Sequence, residues 1–220
     1  MSLKSFLKSQ RLKLKHWYHR SLLNHHDFSI ISNNCWGTRT YQKYGLEYLS
    51  PFQSALIFAP DYINLITNFS IEKLEILSFI KPHNSKYIDE LKRQDLYDKT
   101  YPIALLKDAT EVHFIHYKTP EDAYDKWTRR VKRINLKKLI FKFSDGDLAT
   151  DLLIQKFDQL PYPNKVCFTS KPYSHLKNVV FMKRFKNQDR VTLEWKYDYK
   201  YINLHKFINR MTTKSLTPSI

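Results

Sequence analysis

Apolar and polar positions along this chain alternate between the period of helices and that of strands. Leu3, Phe6, Leu7, Leu14, Trp17, Tyr18 and Leu22 recur at the spacing of one helical face, with Lys4, Lys8, Arg11 and Lys15 in a stripe beside it. This predicts an amphipathic helix within residues 1–24. Phe28-Ser29-Ile30-Ile31 then reads as a buried strand ending at Ser32-Asn33-Asn34. Ser50-Pro51 has the form of a helix start, with Ser as cap and Pro at the first helical position. Ala59-Pro60-Asp61 opens a second helix through Asn68, and residues 70–100 mix helical signals with a polar loop near Lys81-Pro82-His83-Asn84.

Val112 to Tyr117 reads as a strand, and Thr119-Pro120-Glu121-Asp122 starts a helix whose buried stripe is Ala123, Trp127, Val131 and Ile134. Leu139 to Phe143 is a strand followed by the turn Ser144-Asp145-Gly146-Asp147 and a helix through Phe157. Lys165 to Thr169 is a further strand, broken at Lys171-Pro172-Tyr173. Val179 to Phe185 is strand-like, and a last helix covers Ile202 to Met211. No internal repeat is visible. Such alternation predicts one α/β domain over residues 25–220, a mostly parallel open sheet flanked by helices, preceded by the basic amphipathic helix of residues 1–24. Ligands in such sheets bind outside the carboxyl ends of the strands. Four predicted strands end in polar groups: Ser32-Asn33-Asn34-Cys35, His116-Tyr117-Lys118, Ser144-Asp145 and Thr169-Ser170-Lys171. Their convergence requires all four to run parallel.

Composition changes the picture in three respects. Three glycines in 220 residues argue against Gly-rich nucleotide loops. Cys35 and Cys167 form no CxxC pair, which points to free thiols and a cytoplasmic chain rather than a disulfide framework. No run of about 18 apolar residues is available to span a bilayer. The net charge of +16 implies an acidic partner, which is nucleic acid, an anionic membrane surface, or a phosphorylated or carboxylated small molecule or glycan, unless it reflects only a lysine-rich surface. Lys4, Lys8, Arg11, Lys13, Lys15 and Arg20 precede the first acid, Asp27. That pattern fits a helix lying on anionic lipid, and equally an amphipathic helix packed on its own domain. The basic residues form no recognised nucleic-acid reader motif.

Candidate chemistry gathers at the end of the first strand. Cys35 reads as a nucleophile or as a small buried hydrophobe. Ser32 is the alternative nucleophile, with Asn33 and Asn34 either stabilising an oxyanion or shaping the turn. His116, nearest its strand end, is the candidate general base, and His113, on the opposite face, reads as a packed histidine. Arg129, Arg130 and Arg133 on one helix suit phosphate or carboxylate, or else form a solvated face. Trp36, Lys171 and Tyr173 complete the candidate substrate contacts. Asp145 and Asp147 could orient a base or offer oxygen ligands, or simply form an Asp-Gly turn. Two histidines without a third ligand predict no zinc site.

These segments resemble a bacterial family described as exopolysaccharide biosynthesis protein, a domain of unknown function. Phe28-Ser29-Ile30-Ile31-Ser32-Asn33-Asn34-Cys35-Trp36-Gly37 resembles its opening signature, with Thr38 where a second glycine is expected. Gly45-Leu46, Tyr48, Ser50-Pro51-Phe52 and Pro60-Asp61-Tyr62 follow in order. Then come Tyr101-Pro102, the His113-to-Tyr117 block, and Trp127 with Arg129, Arg130 and Arg133-Ile134-Asn135. Leu160-Pro161-Tyr162, Lys165-Val166 and Phe168-Thr169 close the pattern. The similarity spans about residues 27 to 173. It implies a setting in capsule or surface-polysaccharide synthesis. Asn34-Cys35 also resembles the Asn-Cys pair that some capsule acetyltransferases carry after their first strand.

Together these features predict a transferase acting on a surface polysaccharide or its lipid- or nucleotide-linked precursor. Acetyl-coenzyme A is the expected acyl donor, Cys35 or Ser32 the nucleophile or oxyanion stabiliser, and His116 the base. The arginines would hold phosphates, and the first helix would keep the protein at the inner membrane face. The rival expectation is a non-catalytic carbohydrate or assembly module that uses Trp36, Tyr41, Tyr44, Tyr48, Trp127 and Tyr173 as a groove.

Overall fold

A computed structural model describes residues 2–213. Four strands form a parallel sheet in the order β1 (Ser29–Ser32), β5 (Leu139–Ser144), β6 (Lys165–Thr169) and β7 (Val179–Phe181). A second, antiparallel sheet holds β2 (Ile76–Ile80), β3 (Ile103–Leu106) and β4 (Glu111–His113). The helices are α1 (Leu3–Ser21), α2 (Trp36–Tyr44), α3 (Ala59–Ile66), α4 (Ile88–Arg93), α5 (Pro120–Val131), α6 (Asp151–Gln159) and α7 (Leu204–Thr213). The fold class is α/β, as the alternation predicts.

Strand geometry sorts the parallel sheet into two faces, because successive side chains point to opposite sides. Ile31, Leu139, Phe141, Phe143 and Cys167 enter a core with Tyr62 of α3, Trp127 of α5, and Ile154 and Phe157 of α6. Ile30, Ile140, Val166 and Phe168 enter a second core with Trp36, Tyr41 and Tyr44 of α2 and Phe207 and Ile208 of α7. Both faces are covered, so the strands read as continuous apolar runs.

The two sheets are joined through an extended segment. Leu56 and His113 exchange two backbone hydrogen bonds of 2.9 Å, and Ile57 N–H donates to the Asn33 carbonyl at 2.9 Å. Residues 56–57 thus lie between the end of β1 and β4. This explains why Ser50-Pro51 starts no helix. The Ser50 hydroxyl donates to the Ile30 carbonyl at 2.6 Å, tying the segment along β1. By contrast, Thr119 caps α5 as its sequence predicts, accepting from Asp122 N–H at 3.2 Å.

The Val112-to-Tyr117 strand is shorter than expected. It ends at His113 and belongs to the antiparallel sheet, so only three of the four predicted polar strand ends share an edge. β3 has no counterpart in the sequence reading, and β7 stops at Phe181, where a single 3-10 turn replaces its predicted continuation. Among the described residues, no helix is long and apolar enough to cross a membrane.

Trp127 is the largest apolar group joining α5 to the first core. It is buried against Phe52 and Phe114, and its indole N–H donates to the Leu74 carbonyl at 2.7 Å. Trp127→Ala should lower unfolding free energy by about 3–5 kcal/mol, measured by urea denaturation.

Candidate functional site

The carboxyl edge of the parallel sheet carries a buried charge. Lys142 stands in the middle of β5 and is fully buried. A bare ammonium there would cost several kcal/mol, so the fold must supply partners. Its Nζ donates to Asn34 Oδ1 at 2.8 Å and makes short contacts with the Ser144 hydroxyl and the Glu194 carboxylate. Asn34 Nδ2 and the Ser144 hydroxyl in turn donate to Glu194 Oε1, at 2.8 and 2.9 Å. Burial is the largest influence on Glu194 and pushes its pKa up. The Lys142 charge, with hydrogen bonds from Lys142 and Asn34, outweighs it and holds the carboxyl below its ordinary value.

This constellation opens into a cleft of about 230 Å³ whose lining includes Asn34, Cys35, Ser144, Asp147, Arg190 and Trp195. The cleft has apolar walls from Leu56, Ile115 and Val191. Asp147 accepts from Arg190 at 3.0 Å and from Gln94 at 3.3 Å, yet burial, the dominant effect, raises its pKa. Asp145 is raised for the same reason although it accepts from Ser170 and from Val191 N–H. Both carboxylates are therefore biased toward proton exchange nearer neutral pH. Backbone strain collects in the same place. Asp147, Leu148 and Leu193 have φ of 56°, 69° and 49°, a left-handed region that these residues seldom adopt. Helix α2 adjoins the cleft through its cap residue Cys35, and its first amide, Trp36 N–H, donates to Asn34 Oδ1 at 3.1 Å.

The sequence-derived residues divide. Asn34 and Cys35 line the cleft. Ser32 is buried and donates to the Asn34 carbonyl at 3.0 Å. The Asn33 side chain is buried without a hydrogen-bond partner among the described residues, while its carbonyl joins the two sheets. Cys35 is a free thiol, and burial, its largest influence, raises its pKa, so it is not poised as a thiolate. His116 lies in an exposed turn next to Ile115, and no hydrogen bond connects it with Cys35 or Ser32. His113 is packed, as expected, with the Tyr101 hydroxyl 3.2 Å from Nδ1.

The arginine helix does not face this site. The chain leaves α5 for the start of β5, and Asn135 N–H donates to Ser29 Oγ at the start of β1. Its C-terminal turn therefore lies at the opposite edge of the sheet. Arg130 is buried, donating to the Tyr117 hydroxyl at 2.6 Å beneath the Tyr48 ring, and Arg133 pairs with Glu47. Arg129 is exposed. Trp36 is also no substrate platform. It is fully buried, its indole N–H donating to Asp198 at 3.0 Å. Tyr41, Tyr44 and Trp127 are core residues as well. Lys171 is exposed at the end of β6, and the Tyr173 hydroxyl donates to Asp151 at 2.6 Å. Thr38, in place of the expected glycine, accepts from Ser54 N–H at 2.8 Å.

Sequence reasoning missed Lys142, Glu194 and Arg190. A lysine inside the apolar run Leu139 to Phe143 was a usable signal, since a charge there demands a partner. Glu194 and Arg190 lie in an irregular segment with no periodicity to mark them.

The chain matches, over residues 6–214, a family described as Domain of unknown function (DUF1919). It belongs to that family. A relative from Haemophilus influenzae (strain Rd), described as an uncharacterized protein, is 32% identical over 184 residues, 84% of this chain and 81% of the relative. The DUF1919 match takes in α1 from Phe6 and all of residues 174–213, both beyond the blocks that carried the sequence resemblance. Arg190 and Glu194 thus lie within the DUF1919 span.

Glu194→Gln should cost about 3–5 kcal/mol at pH 7 by leaving Lys142 buried without its counter-charge. The folded-state pKa of Glu194 is depressed, so its stabilising contribution is full above the ordinary 4.5 and is lost as pH falls through the folded value. The gap between wild type and variant in urea titrations should therefore narrow at acid pH, beginning below 4.5.

Proposed function

We propose that this DUF1919 protein is a transferase that modifies a surface-polysaccharide precursor on the cytoplasmic side of the membrane, with acetyl-coenzyme A as donor and the strand-edge cleft as the reaction site. The observation that carries the reading is the meeting of a raised, partly buried carboxyl, Asp147, with a partly exposed cation, Arg190, in one strained cleft. Asp147 as carboxylate accepts the proton of an acceptor hydroxyl. The hydroxyl oxygen attacks the thioester carbonyl, the C–O bond forms and the C–S bond breaks. The departing thiolate then takes the proton from Asp147. Arg190 suits a donor phosphate. This assigns the base role to Asp147 instead of His116 and gives Cys35 a place in the wall. The binding-module alternative is less well supported, because Trp36, Tyr41, Tyr44 and Trp127 are spent in the cores.

Calorimetry should show micromolar acetyl-coenzyme A binding that Arg190→Ala weakens at least tenfold and Arg129→Ala/Arg133→Ala leaves unchanged. Absence of binding at millimolar ligand overturns the acyl-transfer mechanism. Given transfer activity, the acid limb of kcat/KM should lie above the ordinary aspartate value of 3.8 and disappear in Asp147→Asn.

A further inference from the structure

The N-terminal helix turns its apolar stripe away from the protein. At about 100° per residue, Phe6, Trp17, Leu14, Leu7 and Tyr18 fall within an arc roughly 120° wide. All five are exposed, from 44% at Phe6 to 66% at Leu14. Among the described residues, α1 carries six of the thirteen exposed large hydrophobic side chains. An amphipathic helix packed on its own domain would bury this face, and α1 does not.

Its attachment to the body uses other residues. His16 sits against Gly45, whose φ of +60° and lack of a Cβ admit the ring. A Cβ there would lie 2.6 Å from the imidazole. His19 meets the Tyr44 ring edge-on at 6.0 Å, and Leu23 is buried just beyond the helix. Residues 4–9 and 11–15 are exposed.

Charge identifies what covers the stripe. Arg11, Lys4, Lys15 and Lys8 border one side of the arc, and Lys13 and Arg20 border the other. No acid occurs before Asp27. An apolar strip edged with cations on both sides matches the boundary between acyl chains and anionic headgroups, with the bases reaching up to phosphates. The six charges prevent the helix from spanning the bilayer, so it lies in the plane.

We infer that α1 is an interfacial anchor that docks this protein on an anionic phospholipid bilayer through the Phe6/Leu7/Leu14/Trp17/Tyr18 stripe. The anchor does not depend on the reaction assigned to the cleft, and it is tested without measuring activity.

The test is flotation of the full chain with phosphatidylcholine vesicles, with and without phosphatidylglycerol. The protein should float with the anionic vesicles and remain behind with the neutral ones. Leu14→Ser/Trp17→Ser and Lys8→Glu/Lys15→Glu should each reduce the bound fraction at least tenfold while melting at the wild-type temperature, because all four side chains face solvent. On binding, tryptophan emission should shift to the blue, and Trp17→Phe should remove the shift. Failure to float overturns the proposal. So does loss in the charge variant alone, which would mark a purely electrostatic surface such as one for nucleic acid. Self-association through the stripe, detected by sedimentation equilibrium in place of vesicle binding, overturns it too.

Discussion

A lysine placed in the centre of a strand buried on both faces constrains everything around it. Lys142 cannot reach water from β5, and the cost of an unpaired ammonium there exceeds what most single contacts contribute. Ser144 at the end of the same strand is a local partner, but the other two come from segments far away in sequence: Asn34 after β1 and Glu194 in the irregular stretch before α7. Satisfying one charge thus ties the segment around Glu194 to the sheet edge. Asp145 adds to the same closure, because its carboxylate accepts from Ser170 and from Val191 N–H, linking β5, β6 and the roof of the cleft.

The consequence is a cavity in which charge, strain and apolar walls coincide. Parallel strands end together at this edge, and the turns leaving them carry polar side chains. The left-handed backbone at Asp147, Leu148 and Leu193 is held by the surrounding packing and hydrogen bonds, including Ala59 N–H to the Asp147 carbonyl at 2.8 Å. Such strain persists where the surroundings over-determine the chain. Helix α2 relates this cleft to the rest of the molecule. It begins at the cavity with Cys35 and ends at Gly45 against His16 of α1, about 15 Å away along its axis. The N-terminal helix is thus seated at the far end of the element whose start adjoins the cleft.

Much of the fold was legible in local pattern. The runs Leu139 to Phe143 and Lys165 to Thr169, the Thr119-Pro120 start of α5 and the Ala59-Pro60 start of α3 each state their structure within a few residues. These signals depend on side-chain period and on the capping of backbone N–H groups, which are properties of neighbours. Ser50-Pro51 misleads for the same reason. The serine oxygen finds a backbone partner, but across space at Ile30 and not within a helix. β3 and the shortening of the strand at His113 depend on antiparallel pairing that no local pattern reports.

The sequence by itself determined an α/β chain, a basic N-terminal helix and polar strand ends at Asn34 and Ser144, because periodicity and charge are written residue by residue. Only the tertiary structure decided which polar ends meet. It carried Arg129, Arg130 and Arg133 to the opposite edge, buried Trp36, left His116 on an outer turn, and brought Glu194 and Arg190 to the cleft. It also decided that the apolar face of α1 looks outward. Composition is the same whether that face is packed or bare. What distinguishes the two is the docking of His16 on Gly45, a contact between residues that share no local pattern.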